Sequence, residues 1–211
     1  MALPESGVLQ LGQTVLRWRG DGAPGRGDRV VELAQALPRL ESWIAAGGLL
    51  GVQAVHPLAS LARHRRSGYS LLALGPGAAL PALAGVAYGF HSVAAVLPPE
   101  DRGAFLAAAE SMRSGNEVLV AETLEQLRPG LQFQRVLLGC GGRVPALAEA
   151  APLVPRLRLE GHWVWYGLPA HAVEDAFRSL AQRGMHLRGC GFSGGYAYLS
   201  GSLENPDSFR P

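Results

Sequence analysis

From Tyr69 onward the chain alternates short apolar runs with helical stretches in strict order, and nothing else in the sequence narrows the fold as far. Strands are expected over residues 70–74, 92–97, 117–120, 135–138, 162–167, 186–189 and 196–200. Helices are expected near residues 78–88, 101–113, 144–153 and 170–182. Strand and helix in turn is the pattern of βαβ units, which close as a parallel sheet with right-handed crossovers. The runs are apolar almost throughout, as in strands covered on both faces, and the composition agrees, with 48% hydrophobic and 17% charged residues. The last two strands break the alternation. Between them stands only Cys190-Gly191-Phe192-Ser193-Gly194-Gly195, too turn-rich for a helix, so they should pair as an antiparallel hairpin at the sheet edge. The expected fold is therefore α/β and Rossmann-like, a seven-stranded, mainly parallel sheet ending in an antiparallel hairpin.

A chain of 211 residues has room for one good core rather than two. Residues 69–211 are read as the Rossmann-like domain and residues 1–68 as an N-terminal extension with helices. Within the extension, residues 8–19 are expected to form a β-hairpin or strand, with Val15, Leu16 and Trp18 partly buried. The stretch Gly20-Asp21-Gly22-Ala23-Pro24-Gly25-Arg26-Gly27 is expected to be a loop or linker, because so many turn formers sustain neither helix nor strand. From Asp28, a fair N-cap, Val30, Val31, Leu33, Ala34 and Leu37 recur at helical spacing and predict a helix over 28–40. A second helix is expected over 57–66.

A net charge of +2 is too small for a nucleic-acid footprint, and no clustered basic face with interleaved aromatics accompanies it. The short run Arg63-His64-Arg65-Arg66 reads as a solvated helix end or loop. All 19 basic side chains are arginines, so a basic group in a pocket would suit bidentate capture of a carboxylate or phosphate. Cys140 and Cys190 form no CxxC and have no histidine at metal-ligand spacing. No metal site or disulfide framework is expected, and both thiols are read as small buried hydrophobes. The start of the chain lacks a signal peptide's basic and apolar segments, and no apolar run reaches the ~18 residues of a membrane span. The cytoplasm is the expected location, with no membrane partner.

The strongest site signal is Leu71-Leu72-Ala73-Leu74-Gly75-Pro76-Gly77, a buried strand running into a tight glycine turn and then a helix. Glycines there let backbone approach a ligand, and the helix start offers N–H groups. This turn resembles the first motif of the S-adenosylmethionine-dependent methyltransferases, roughly acid-x-Gly-x-Gly-x-Gly. Here Ala73 stands for the acid and Ala79 for the third glycine. The family's second acid, which grips the ribose, would fall at Leu97, followed closely by Glu100 and Asp101.

The downstream half, residues 116–127 and 136–145 with the tail Gly194-Gly195-Tyr196 to Pro206, looks like the decarboxylating precorrin methyltransferases of cobalamin biosynthesis. That resemblance implies S-adenosylmethionine as cofactor and a tetrapyrrole as small-molecule substrate. It implies that Gly75, Pro76 and Gly77 face the cofactor with Leu97, and that Ala121, Glu122 and Thr123 lie beside the adenine. Gly139, Gly141, Gly142 and Arg143 would line the substrate side, with Arg143 as a carboxylate clamp. Methyl transfer rests on proximity and orientation, so no catalytic triad is expected. Of the scattered histidines, His162 and His171 are placed near the carboxyl ends of strands or the turns that follow, and Trp163-Val164-Trp165-Tyr166 is read as core strand.

Two other readings stay open. With Ala73, Ala79, Leu97 and Gln134 at positions where the family carries contact groups, the chain could be a degenerate scaffold or partner subunit, binding a protein or further copies of itself. The start of a GxGxxG pattern at Gly75 and the run Gly161 to Gly167 also suit an NAD(P)-binding medium-chain dehydrogenase fragment. Leu80 at the third glycine position and the absence of an acid closing the second strand speak against it.

Overall fold

The computed structural model describes residues 8–11, 14–17, 29–32, 37–55, 69–112, 115–182, 184–193 and 195–203. The N-terminal part holds β1 (Val8–Leu11), β2 (Thr14–Arg17), β3 (Arg29–Glu32), α1 (Leu37–Ala45) and α2 (Gly48–Val55). β1 and β2 pair antiparallel, the hairpin rather than the single strand of the two forms expected there, and β3 adds parallel to β2. The helix expected over 28–40 is not formed. Residues 29–32 are strand and the helix begins only at Leu37, because the β-branched pair Val30-Val31, restricted at χ1, suits an extended backbone. The loop or linker expected over 20–27 and the helix expected over 57–66 lie outside the described residues.

The second sheet is the body of the fold. Its strands are β4 (Ser70–Leu74), β5 (Ser92–Val96), β6 (Glu117–Ala121), β7 (Phe133–Gly139), β8 (Leu157–Pro169), β9 (Met185–Ser193) and β10 (Tyr196–Leu203). They lie in the order β6-β5-β4-β7-β8-β10-β9. The first five are parallel to one another, and β10 is antiparallel to both β8 and β9. The terminal hairpin is as expected, with the last strand inserted between β8 and β9.

Side chains alternate between two apolar layers, as the pleat requires. Leu71, Ala73, Val93, Ala95, Leu137, Val164 and Tyr166 face one layer, which also receives Leu40 and Trp43 of α1 and Leu50 and Val55 of α2. The same layer is covered by α3 (Ala79–Ala87) and α4 (Pro99–Met112), through Leu80, Leu83, Phe105 and Met112. Leu72, Ala94, Val136, Trp163, Trp165 and Leu199 face the other, with Ala176 and Leu180 of α6 (Val173–Ala181). The Trp163–Tyr166 run is core strand, as expected, with Trp163 and Trp165 edge to face at 6.1 Å. Buried Asp101 fastens α1 to α4, accepting a 2.6 Å hydrogen bond from Nε of Arg39.

The helix expected over 144–153 is curtailed. α5 covers only Leu147–Ala150, and residues Ala151–Arg156 continue as a 3-10 turn, since Pro152 and Pro155 bring no N–H to an α-helical ladder. Among the described residues, no helix is long and apolar enough to cross a membrane.

Candidate functional site

Chain order reverses between β4 and β7. From β4 the sheet grows through β5 and β6 on one side, then returns to add β7 on the other. A crevice outside the carboxyl ends of the strands at such a switch point is where open α/β sheets bind ligands. The glycine turn stands at this point. β4 ends at Leu74, and Gly75 and Gly77 follow with φ of 82° and 75°, a left-handed backbone that favours glycine.

Across the switch point, β7 ends at Gly139, and the two turns press together. A Cβ on Gly139 would stand 2.1 Å from the Pro76 carbonyl oxygen and 2.8 Å from the Tyr166 hydroxyl. A Cβ on Gly75 would stand 2.5 Å from the Gly139 carbonyl oxygen, and one on Gly141 2.9 Å from the Pro76 ring. The start of α2 closes the seam from above: a Cβ on Gly77 would meet the Trp43 carbonyl oxygen at 2.9 Å and Gly48 N at 3.0 Å. The structure thus unites Gly75, Pro76, Gly77, Gly139 and Gly141, and seats Gly48 against them. Nothing local at Gly47-Gly48 announced this, because the contact joins segments about thirty residues apart in sequence.

The helix start offers fewer donors than its sequence implies. The N–H groups of Ala78 and Leu80 donate to the carbonyls of Gly75 and Gly77, and Pro81 has none. The expected acid position, Ala73, is fully buried in the core.

The remaining site residues fall in two further groups. Leu97 follows β5, donates its N–H to the Ala121 carbonyl at 2.9 Å and is 1% exposed. Its apolar side chain therefore packs inward and presents nothing to a ligand. Glu122 and Thr123 follow β6 and are exposed. The Glu122 carboxylate pairs with Arg102 of α4, and its N–H donates to Oε1 of Gln126 at 2.7 Å. Among the residues expected to line the substrate, the N–H of Gly142 donates to the Gly167 carbonyl at 2.8 Å. Arg143 is exposed and bidentate on Glu149 at 2.7 and 2.6 Å. Hydrogen bonding to Arg143, with help from the Ala146 amide, pulls the Glu149 carboxyl down to about 2.

One group at the seam was not singled out in the sequence. Tyr166, fully buried at the carboxyl end of β8, points its hydroxyl at Gly139, and that oxygen has no hydrogen-bond partner. Burial, and then Cys140, hold its ionisation well above the ordinary range. Cys140 is buried as expected and desolvation pushes its thiol up to about 12, whereas Cys190 is exposed on β9, correcting the expectation for that thiol. His171 lies at the carboxyl end of β8, but His162 does not. β8 begins at Leu157 rather than 162, so His162 falls in the amino half of the strand.

No protein-family model matches the chain, and no curated protein matches its sequence. In three dimensions it is similar to a ribosomal protein L11 methylase from Lactobacillus delbrueckii subsp. bulgaricus. The TM-score is 0.60 at 13% identity, covering 94% of this chain and 99% of that one. It is also similar to a precorrin-6y C5,15-methyltransferase from Geobacter metallireducens GS-15, with a TM-score of 0.52, 17% identity, and coverage of 72% and 89%. The fold is the Rossmann-like fold of these methyltransferases, and at such identities the likeness extends to the fold alone.

Proposed function

We propose that the chain is an S-adenosylmethionine-dependent methyltransferase-like protein whose cofactor lies over Gly75 to Gly77. The observation that supports this most is the pair of left-handed glycines at the end of the central strand, placed at the topological switch point. The orphaned Tyr166 hydroxyl at Gly139 is a polar group waiting on the same seam. Ala121, Glu122 and Thr123 would border the adenine, and Gly139, Gly141, Gly142 and Arg143 the acceptor. The cofactor, when bound, supplies an electrophilic methyl group. The chain's own contribution is to hold cofactor and acceptor in line and to exclude water.

The side chains at two of the family's contact positions fit the cofactor poorly, one at the methionine end and one at the ribose. Ala73 and Leu97 offer no carboxylate to the ammonium and ribose. Each missing charge-assisted hydrogen bond is worth about 1.5–3 kcal/mol, so two lower affinity by about two to four powers of ten. A tetrapyrrole acceptor, with its acetate and propionate groups, would engage Arg143 once Glu149 released it, and a cytoplasmic setting accompanies this reading.

A second reading has its own support. The chain's backbone occupies the crevice, Gly139 against Pro76 and Gly48 against Gly77, as suits a non-catalytic scaffold or partner subunit. Calorimetric titration with S-adenosylmethionine, S-adenosylhomocysteine and NADH separates these. Micromolar binding of the first two, lost in Gly77→Val, supports the methyltransferase reading; binding absent into the millimolar range supports the scaffold. NADH binding alone would favour the dehydrogenase relationship, against which Leu80, at the third glycine position, is fully buried beside Gly48.

A further inference from the structure

The opposite end of the sheet carries an arrangement that the cofactor site does not use. One register row crosses the strands near their amino ends: Leu71 of β4 is opposite Arg135 of β7, Arg135 opposite His162 of β8, and His162 opposite Ser202 of β10. Residues directly opposite one another project to the same face, and Leu71 belongs to the layer under α1 to α4. The row therefore places a guanidinium, an imidazole and a hydroxyl side by side on that face. Arg188 of β9 joins them, its Nε donating to the Ser202 hydroxyl at 3.2 Å.

Arg135 is the unusual member. It is 3% exposed, yet its Nε has no hydrogen-bond partner. Its Nη1 donates to the Gln134 carbonyl at 2.8 Å, and its guanidinium carbon lies 5.7 Å from the centre of the Tyr69 ring. Neither contact neutralises a charge. The ion pairs of the described residues include neither Arg135 nor Arg188. Removing a guanidinium from water without an anion is costly. Arg135 and Ser202 are buried and His162 is half-buried, while Arg188, bonded to Ser202, is exposed and gives the group its edge on solvent.

We propose that Arg135, His162, Ser202 and Arg188 form an anion-binding site at the amino end of the sheet, for a small dianionic oxyanion such as a phosphate. Two guanidinium groups supply the charge and the planar donor geometry such ions favour. The serine hydroxyl and imidazole complete the donor set. His162 reports on the site: burial, then Arg135 and Arg188, hold its imidazole down at about 4, and an anion between these groups would relieve the second and third causes.

The test uses the full-length chain with inorganic phosphate, titrated at constant ionic strength against chloride. Thermal unfolding and the NMR titration of the His162 imidazole are followed together. Phosphate should raise the unfolding midpoint saturably, by mass action, and lift the His162 pKa, while chloride does neither. Arg188→Gln, an exposed change, should weaken binding by about tenfold or more, and Arg135→Met should abolish it. Absence of saturation, an unmoved His162, or an unchanged response in Arg188→Gln would overturn the proposal. Because Arg188→Gln leaves the core intact, the result stands even if Arg135→Met fails to fold.

Discussion

Gly139→Ala adds one methyl group at the point where β7 meets the glycine turn. Its position is 2.1 Å from the Pro76 carbonyl oxygen, whereas carbon–oxygen contacts settle at about 3.3–3.6 Å. One backbone segment must retreat by about 1 Å, and it cannot do so freely. Gly75 lies against the Gly139 carbonyl, and Gly77 against Gly48. Overpacking of this kind costs about 1–3 kcal/mol, offset by about 0.5–1 kcal/mol from the reduced freedom of the unfolded chain. A net loss of about 1–2 kcal/mol corresponds to a midpoint lower by about 2–8 °C for a chain of this size. Gly103→Ala is the matched control. It sits in α4 with nothing within 4 Å of the added carbon, so it should gain about 0.5–1 kcal/mol. Urea unfolding of both variants, compared through the midpoint at constant slope, gives the sign of each. A Gly139→Ala protein as stable as the parent would show that the turn after β4 is not seated on the end of β7.

Tyr166→Phe removes a buried hydroxyl that has no partner and should stabilise the free protein by about 1 kcal/mol; a lower midpoint would reveal a bond to that oxygen. Thiol labelling at pH 8 should reach Cys190 at once and Cys140 only on unfolding, because one is exposed and the other is buried with its ionisation pushed up to about 12. Rapid labelling of both would contradict this. His162 binds its proton more weakly when folded, at about 4 against 6.5. The unfolded state thus takes up protons first, and stability should fall as pH drops from about 6.5 to 4. His162→Asn should flatten that part of the pH profile, and an unchanged slope would assign it to other groups.

Local chemistry made much of this fold legible before any coordinates. The apolar runs from Ser70 onward announce buried strands, and the absence of a helix between β9 and β10 announces a hairpin, because periodicity and turn composition act over a few residues. The glycine turn at Gly75 to Gly77 was readable for the same reason: left-handed backbone after a strand demands that residue type. Where local signals competed, the reading failed. Val30 and Val31 satisfy both a helical stripe and a strand, and pairing with β2 decided for the strand. The prolines at 152 and 155 ended a helix whose apolar pattern ran on.

Tertiary structure alone decided what the candidate site contains. That Gly48 meets Gly77, that Gly139 meets Pro76, and that Tyr166 points between them follow from packing of segments distant in sequence. Arg143 read as free for a ligand because its sequence neighbours do not reveal how a short helix returns Glu149 to it. In the sequence Arg135 only opens the strand expected over residues 135–138. Its burial comes from its row in the sheet, between Leu71 and His162. Strand register is set by long-range pairing, which carries no local periodicity, and so the sequence defines the elements while the sheet decides which of their side chains meet.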